Sequence, residues 1–215
     1  MRRNPGPGTD ESADPNRAGA ARTLPKGERT RRAVLEAAIE RFGRDGYRAT
    51  SVADVARDAG VGGTVPYTYF PNKEALFTAA LDEDVAGVLL EGLSHVTDDP
   101  TDTGWKEQLV FTLVEATEAH PLARRVLAGL EPEVTHRVAE LPALAELSKA
   151  ASERLAAGQL AGHVRSDIDP RSVGNGTVVL IVSLMMTVLQ MGPGPTRGHS
   201  RDVLAVFEAA MDQSP

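Results

Sequence analysis

Cysteine is absent from the 215 residues, which excludes a disulfide framework, thiolate metal sites and a cysteine nucleophile, and makes a reducing cytoplasm the expected setting. Aromatic residues are scarce at 4%. The longest nearly apolar run, residues 178–191 (VVLIVSLMMTVLQM), falls short of the roughly 20 residues that cross a bilayer, and reads as a buried helix. The N-terminus has arginines and prolines but no apolar core segment, so no secretory signal is expected. Also missing are a GxSxG elbow, a GxxxxGK[ST] phosphate loop and an HExxH zinc helix. His95, His120, His136, His163 and His199 are too scattered to suggest a local metal pair, so neither a metal nor a cofactor is expected. A helical enzyme is thereby left as a remote alternative. What is present, 41% apolar and 25% charged residues, suits one domain or two small ones with a real core, and excludes collagen, coiled coil and wholesale disorder.

The net charge of −7 is unevenly spread. Residues 1–80 hold 13 Lys and Arg against 10 Asp and Glu, and residues 81–215 hold 10 against 20. An acidic body repels phosphate, so contact with nucleic acid is expected only in the N-terminal part.

Residues 1–25, rich in Pro, Gly, Ala and Arg, read as a disordered tail. Next, Leu35, Ala38, Ile39 and Phe42 fall at helical spacing within Glu28–Arg44, a helix that Gly46 ends. Ser51 with Asp54 three residues later resembles a capping box, Val52, Val55, Ala56 and Ala59 make an inner stripe, and Gly60 suits a left-handed turn. Val61–Phe70 reads as a third short helix. Asn72 can cap a fourth, with Leu76, Phe77, Ala80, Leu81, Val85, Val88 and Leu89 on its buried side. Beyond the Asp98-Asp99-Pro100 break, helices are expected near 104–119, 121–129, 132–140, 143–161, 170–191 and 200–213. No segment alternates with period two, so the fold class is all-α with about nine or ten helices.

Residues 51–70, SVADVARDAGVGGTVPYTYF, pair two short helices through Ala59-Gly60-Val61. Ala56 permits a close crossing and Val61 fills the angle, which is helix-turn-helix arithmetic. Helical proteins that bind no DNA also show such spacing. The longer stretch, "RRAVLEAAIERFGRDGYRATSVADVARDAGV" and then "YTYFPNKEALF", resembles the N-terminal domain of the TetR family of bacterial transcriptional regulators. The resemblance covers about 50 residues, and Tyr-x-Tyr-Phe followed by Asn-Lys-Glu-x-Leu is its most specific part.

The resemblance implies a sequence-specific DNA-binding regulator, a repressor released from a palindromic operator by a small-molecule effector. The alternative is a regulator that is effector-independent or answers to a protein. It implies residues 26–72 as the reading head and 73–215 as the effector-binding and dimerisation body. On the head, Thr50 and Ser51 start the second helix, where they can hold a phosphate or simply cap. Tyr67 is expected on the DNA backbone or a base, Tyr69 on a phosphate, and Phe70 inside. Lys73 resembles a phosphate-gripping lysine and Arg48 a backbone contact; the alternative for both is a solvated charge. Base reading falls to Gly63, Thr64, Val65 and Thr68. Two positions depart from the family pattern: Gly62 stands where a serine is usual, and Pro66 takes an apolar position. The third helix is expected to survive both, with specificity leaning on DNA shape or on Arg2, Arg3, Arg17 and Arg22 of the tail.

A two-fold dimer would read two half-sites. By resemblance, the helices near 143–161 and 170–191 pair with their symmetry mates as a four-helix bundle. Effector-lining candidates are Trp105, Phe111, Leu113, Met185 and Met186, with His120 as a polar handle; each apolar one reads first as core and only second as pocket lining.

Overall fold

The computed structural model describes residues 25–93 and 104–192 together with five helical positions, Asp202, Val203, Ala205, Val206 and Ala209; the side chains of 92–93 and 104–109 are outside that description. The tail with Arg2, Arg3, Arg17 and Arg22, the Asp98-Asp99-Pro100 break and the side chain of Trp105 therefore lie outside the described residues.

Seven α-helices and three 3₁₀ turns run through the described residues, without a strand. Helix α1, Lys26–Asp45, buries Val34, Leu35, Ala38 and Phe42 along one stripe, and its end is set by Gly46 at φ +85°. A seven-residue α2, Val52–Asp58, starts at the capping box expected from Ser51 and Asp54. It stops in a Schellman arrangement: Gly60 N–H reaches the Arg57 carbonyl and Val61 N–H the Ala56 carbonyl, with Gly60 at φ +66°. The bidentate pair of Arg41 with Asp58, at 2.6 and 2.8 Å, ties α1 to α2.

Helix α3, Lys73–Leu93, is capped by Asn72, whose Oδ1 accepts from Ala75 N–H at 2.8 Å. It is shared between the two ends of the molecule. Its Phe77 meets Phe42 and Tyr47 edge-on, with ring centroids 5.1 and 4.9 Å away, locking α1, the α1–α2 turn and α3 together. Further along, Val85 and Val88 enter the core of the body.

That body comprises α4 (Gly104–Ala116), which continues into a 3₁₀ turn at Thr117–Ala119, then α5 (Pro121–Leu127), a 3₁₀ turn at Thr135–Glu140, α6 (Pro142–Leu160) and α7 (Pro170–Met191). The helix expected over 132–140 is thus a shorter 3₁₀ turn, and the described residues within 200–213 are helical. Helix α5 lies directly on α1, where a Cβ at Gly43 would stand 2.7 Å from Pro121 Cβ. The most extensive pairing joins α6 to α7. It brings Gly174 so close to Ser152 that a side chain there would collide with backbone.

Helix α7 is long and apolar enough to cross a membrane by length and composition. Its inner face, with Val178, Leu184, Met185 and Val188, packs instead in the same core as α1, α3 and α5. The sequence reading of a buried helix holds for that face only: Val179, Leu180 and Met191 are exposed.

Candidate nucleic-acid interface

The third helix is the main departure from expectation. Over Val61–Phe70 only Val65–Thr68 is helical, as a 3₁₀ turn. Gly62 offers no capping oxygen, Thr64 at the N-cap makes no side-chain bond, and Pro66 removes a donor inside the first turn. Tyr69 and Phe70 N–H both reach the Pro66 carbonyl, at 3.0 and 2.9 Å, closing the turn. The backbone of Gly63 is bare: a Cβ there would touch nothing within 4 Å.

This unit turns a row of groups outward. Ser51, Gly63, Thr64 and Thr68 are exposed, Tyr67 is 52% exposed, and Val65 and Tyr69 are half-buried. Phe70 and Pro66 face inward. The two tyrosines, two positions apart, thus differ in exposure.

Thr50 is a correction to the expected set. Only 2% exposed, it donates its hydroxyl to the Gly46 carbonyl at 2.8 Å, so the side chain braces the α1–α2 turn and cannot meet a phosphate. Ser51 remains at the surface. Its hydroxyl accepts from Asp54 N–H at 3.1 Å, and its own N–H reaches Asp54 Oδ2 at 3.2 Å. The Ser51 hydroxyl also donates to Asp54 Oδ2 at 2.6 Å; that bond first, then the Ser51 N–H and then Arg57, hold the Asp54 carboxyl down to about 2.

Two cations of the head are already engaged. Lys73 Nζ lies 4.4 Å from the Tyr47 ring centroid and 3.5 Å from the Arg48 carbonyl. Burial pulls its ammonium below the ordinary lysine value, while the charge of Glu131 works in the opposite sense. Arg48 donates from Nε to Glu133 Oε2 at 2.8 Å and from Nη2 to Glu133 Oε1. Sequence reasoning missed this pair, since 85 residues separate its members and nothing local marks them. It also missed Arg31 stacking 5.4 Å over the Phe70 ring centroid.

In the body, a groove of about 1110 Å³ opens between the Thr135–Glu140 turn, α6 and α7. Val178, Val179, Val182, Leu141 and Leu144 form much of its apolar wall. Of the five effector candidates whose side chains are described, Met186 alone lines it. Leu113 and Met185 are shut in the core, and Phe111 is half-buried. The polar handle of His120 serves the fold: Nδ1 lies 2.8 Å from Asp84 Oδ1, while Asp84 Oδ2 accepts from Leu122 and Ala123 N–H, capping α5. Gly87 leaves the space that this imidazole fills. Among the described residues, no group of three or more His, Asp or Glu could hold a metal ion.

Residues 34–80 match the family described as bacterial regulatory proteins, tetR family. The chain is 28% identical over 162 residues to the HTH-type transcriptional regulator RutR of Escherichia coli K12, covering 71% of this chain and 74% of that protein. Its head is more similar to the HTH-type transcriptional repressor ComR of the same organism, at 44% identity over 52 residues, 24% of this chain and 25% of that protein. Among solved structures, a TetR-family transcriptional regulator from Pectobacterium atrosepticum superposes with a TM-score of 0.65 at 17% identity, covering 90% of this chain and all of that one. The fatty acid degradation regulator FadR from Bacillus halodurans gives 0.60 at 18%, covering 86% and 95%. These two structures share the fold.

Proposed function

Because the chain belongs to the tetR family of bacterial regulatory proteins, we propose that it is a cytoplasmic repressor that reads a palindromic operator as a homodimer and leaves it when a small molecule binds the body. The observation that carries this reading is the outward row of Ser51, Gly63, Thr64, Tyr67 and Thr68, held on a head whose inner side is locked by Phe42, Tyr47 and Phe77.

Residues 26–72 act as the head and 73–215 as the body, with α3 joining them. Tyr67, Tyr69, Lys73, Arg48 and Ser51 position the duplex by its backbone. Thr64, Thr68, Val65 and the bare backbone at Gly63 face base edges. With so few side chains able to discriminate bases, part of the specificity comes from DNA shape.

The second partner is another copy. Val179, 63% exposed, Leu180, and the groove beside them form an apolar face on α6 and α7, the helices assigned to the dimer. Pairing of that face removes apolar surface from water and sets two heads about 34–36 Å apart, one helical turn of DNA. The effector acts by favouring a spacing of heads that does not fit the operator, and a coupling of about 1–3 kcal/mol is enough for such a switch. No catalytic step is assigned to the chain.

Selection of bound fragments from random DNA by the purified protein, at stated salt, tests this function. An enriched palindrome that Tyr67→Ala loses is the expected result. Absence of enrichment at low salt, with and without candidate effectors, would overturn it.

A further inference from the structure

The α5–α6 connection, residues 128–141, rests on the reading head. Three side chains seat it. Glu131, 8% exposed, takes Arg125 Nε at 2.6 Å and lies against the α1–α2 turn at Gly46, where a Cβ would come within 2.5 Å of its Oε1. Arg137 pairs with Glu74 in the first turn of α3. Between them, Glu133 presents both carboxylate oxygens to the guanidinium of Arg48.

A carboxylate offers Arg48 the same side-by-side oxygens as a phosphate, so only one of the two can be held at a time. The pair is open to exchange: the Arg48 side chain is 81% exposed and that of Glu133 49%. Lys73 sits on the same Tyr47-Arg48 turn, so the two cations proposed to hold phosphate are neighbours, and one carries an occupant.

Resting on the reading of Arg48 as a phosphate contact, we infer that Glu133 is a built-in competitor for DNA, a body carboxylate that occupies the phosphate seat of Arg48 and must be displaced when the duplex docks. The segment bearing Glu133 follows α5, which packs on α1. Any rearrangement of the body that shifts this segment therefore changes how strongly the head is held in check. Glu133 is a regulatory residue through Arg48, with no contact to DNA of its own.

The test is a double-mutant cycle read by anisotropy on a labelled random-sequence duplex across a salt series, using wild type, R48A, E133Q and the double variant. E133Q should tighten binding about two- to fivefold at low salt, the range of an exposed ion pair, and steepen the salt slope by up to about one unit. Glu133→Asp, with the carboxylate drawn back by one methylene, should fall between. In the R48A background the E133Q gain should vanish. An equal gain in both backgrounds would mean that only the overall charge matters, and no gain in either would mean that the seat is not contested; either result overturns the inference. Wild type that binds as R48A does would remove Arg48 from the interface. Wild type that binds no duplex at all would instead overturn the proposed function.

Discussion

The head and the α6–α7 face of the body present opposite kinds of surface. The head packs the rings of Phe42, Tyr47 and Phe77 together at α3 and turns hydroxyls, the phenol of Tyr67 and bare backbone outward. The α6–α7 face leaves Val179 and Leu180 in water, beside an apolar groove. A surface of the first kind suits a hydrated polyanion, which is met by hydrogen bonds and charge. One of the second kind suits another apolar surface, which removes it from water. The same chain therefore carries two surfaces whose physics differ, and each can be altered separately.

The largest effect should come from the residue that both regions share. Phe77→Ala empties the ring cluster on α3 and is expected to cost about 3–5 kcal/mol in urea unfolding. A head that lost its fold while the body melted unchanged would show that α3 does not unite them.

Next, Val179→Asp should leave the melting temperature of dilute protein nearly unchanged and weaken self-association at least about tenfold in sedimentation equilibrium. An unaltered dimer would place the interface elsewhere.

A smaller change follows at the head. Ser51→Ala breaks the capping box and should cost about 1 kcal/mol at neutral pH. This loss has a defined pH dependence. Asp54 is held at about 2 against an ordinary 3.8, so its contribution is present above about pH 4 and drains away as pH falls through 2. Urea midpoints of wild type and Asp54→Asn should therefore converge between pH 4 and 2, and a constant gap would contradict the role of that carboxylate.

The smallest effect expected is that of Lys73→Ala, which should flatten the salt slope of DNA binding by about one unit on every duplex sequence. An unchanged slope would leave Lys73 as a brace over Tyr47.

Much of the head was legible because its signals are local. Ser51 with Asp54, Gly60, Asn72 and the Leu35–Ala38–Phe42 stripe each act within a few residues, and each holds the position its spacing predicts. Gly62 and Pro66 were legible as departures, but their joint effect was underestimated: the third helix is reduced to one 3₁₀ turn. Thr50 was misplaced because its partner is a carbonyl across a turn rather than the helix start it precedes. The body was less legible. Leu113 and Met185 have the same apolar character in a pocket or a core, and only packing decides between them. Asp84 with His120, and Arg48 with Glu133, are joined across 36 and 85 residues, a separation that periodicity does not register.

On the proposed function, the outward row of the head meets DNA while the apolar face of α6–α7 meets a second copy. The mass of the complex in solution, measured by analytical ultracentrifugation on a duplex enriched from random DNA, tests it most directly. Two chains per duplex are predicted for wild type, with binding lost in Tyr67→Ala and the two-chain complex weakened in Val179→Asp. A single chain bound with full sequence preference, undisturbed by Val179→Asp, would contradict it.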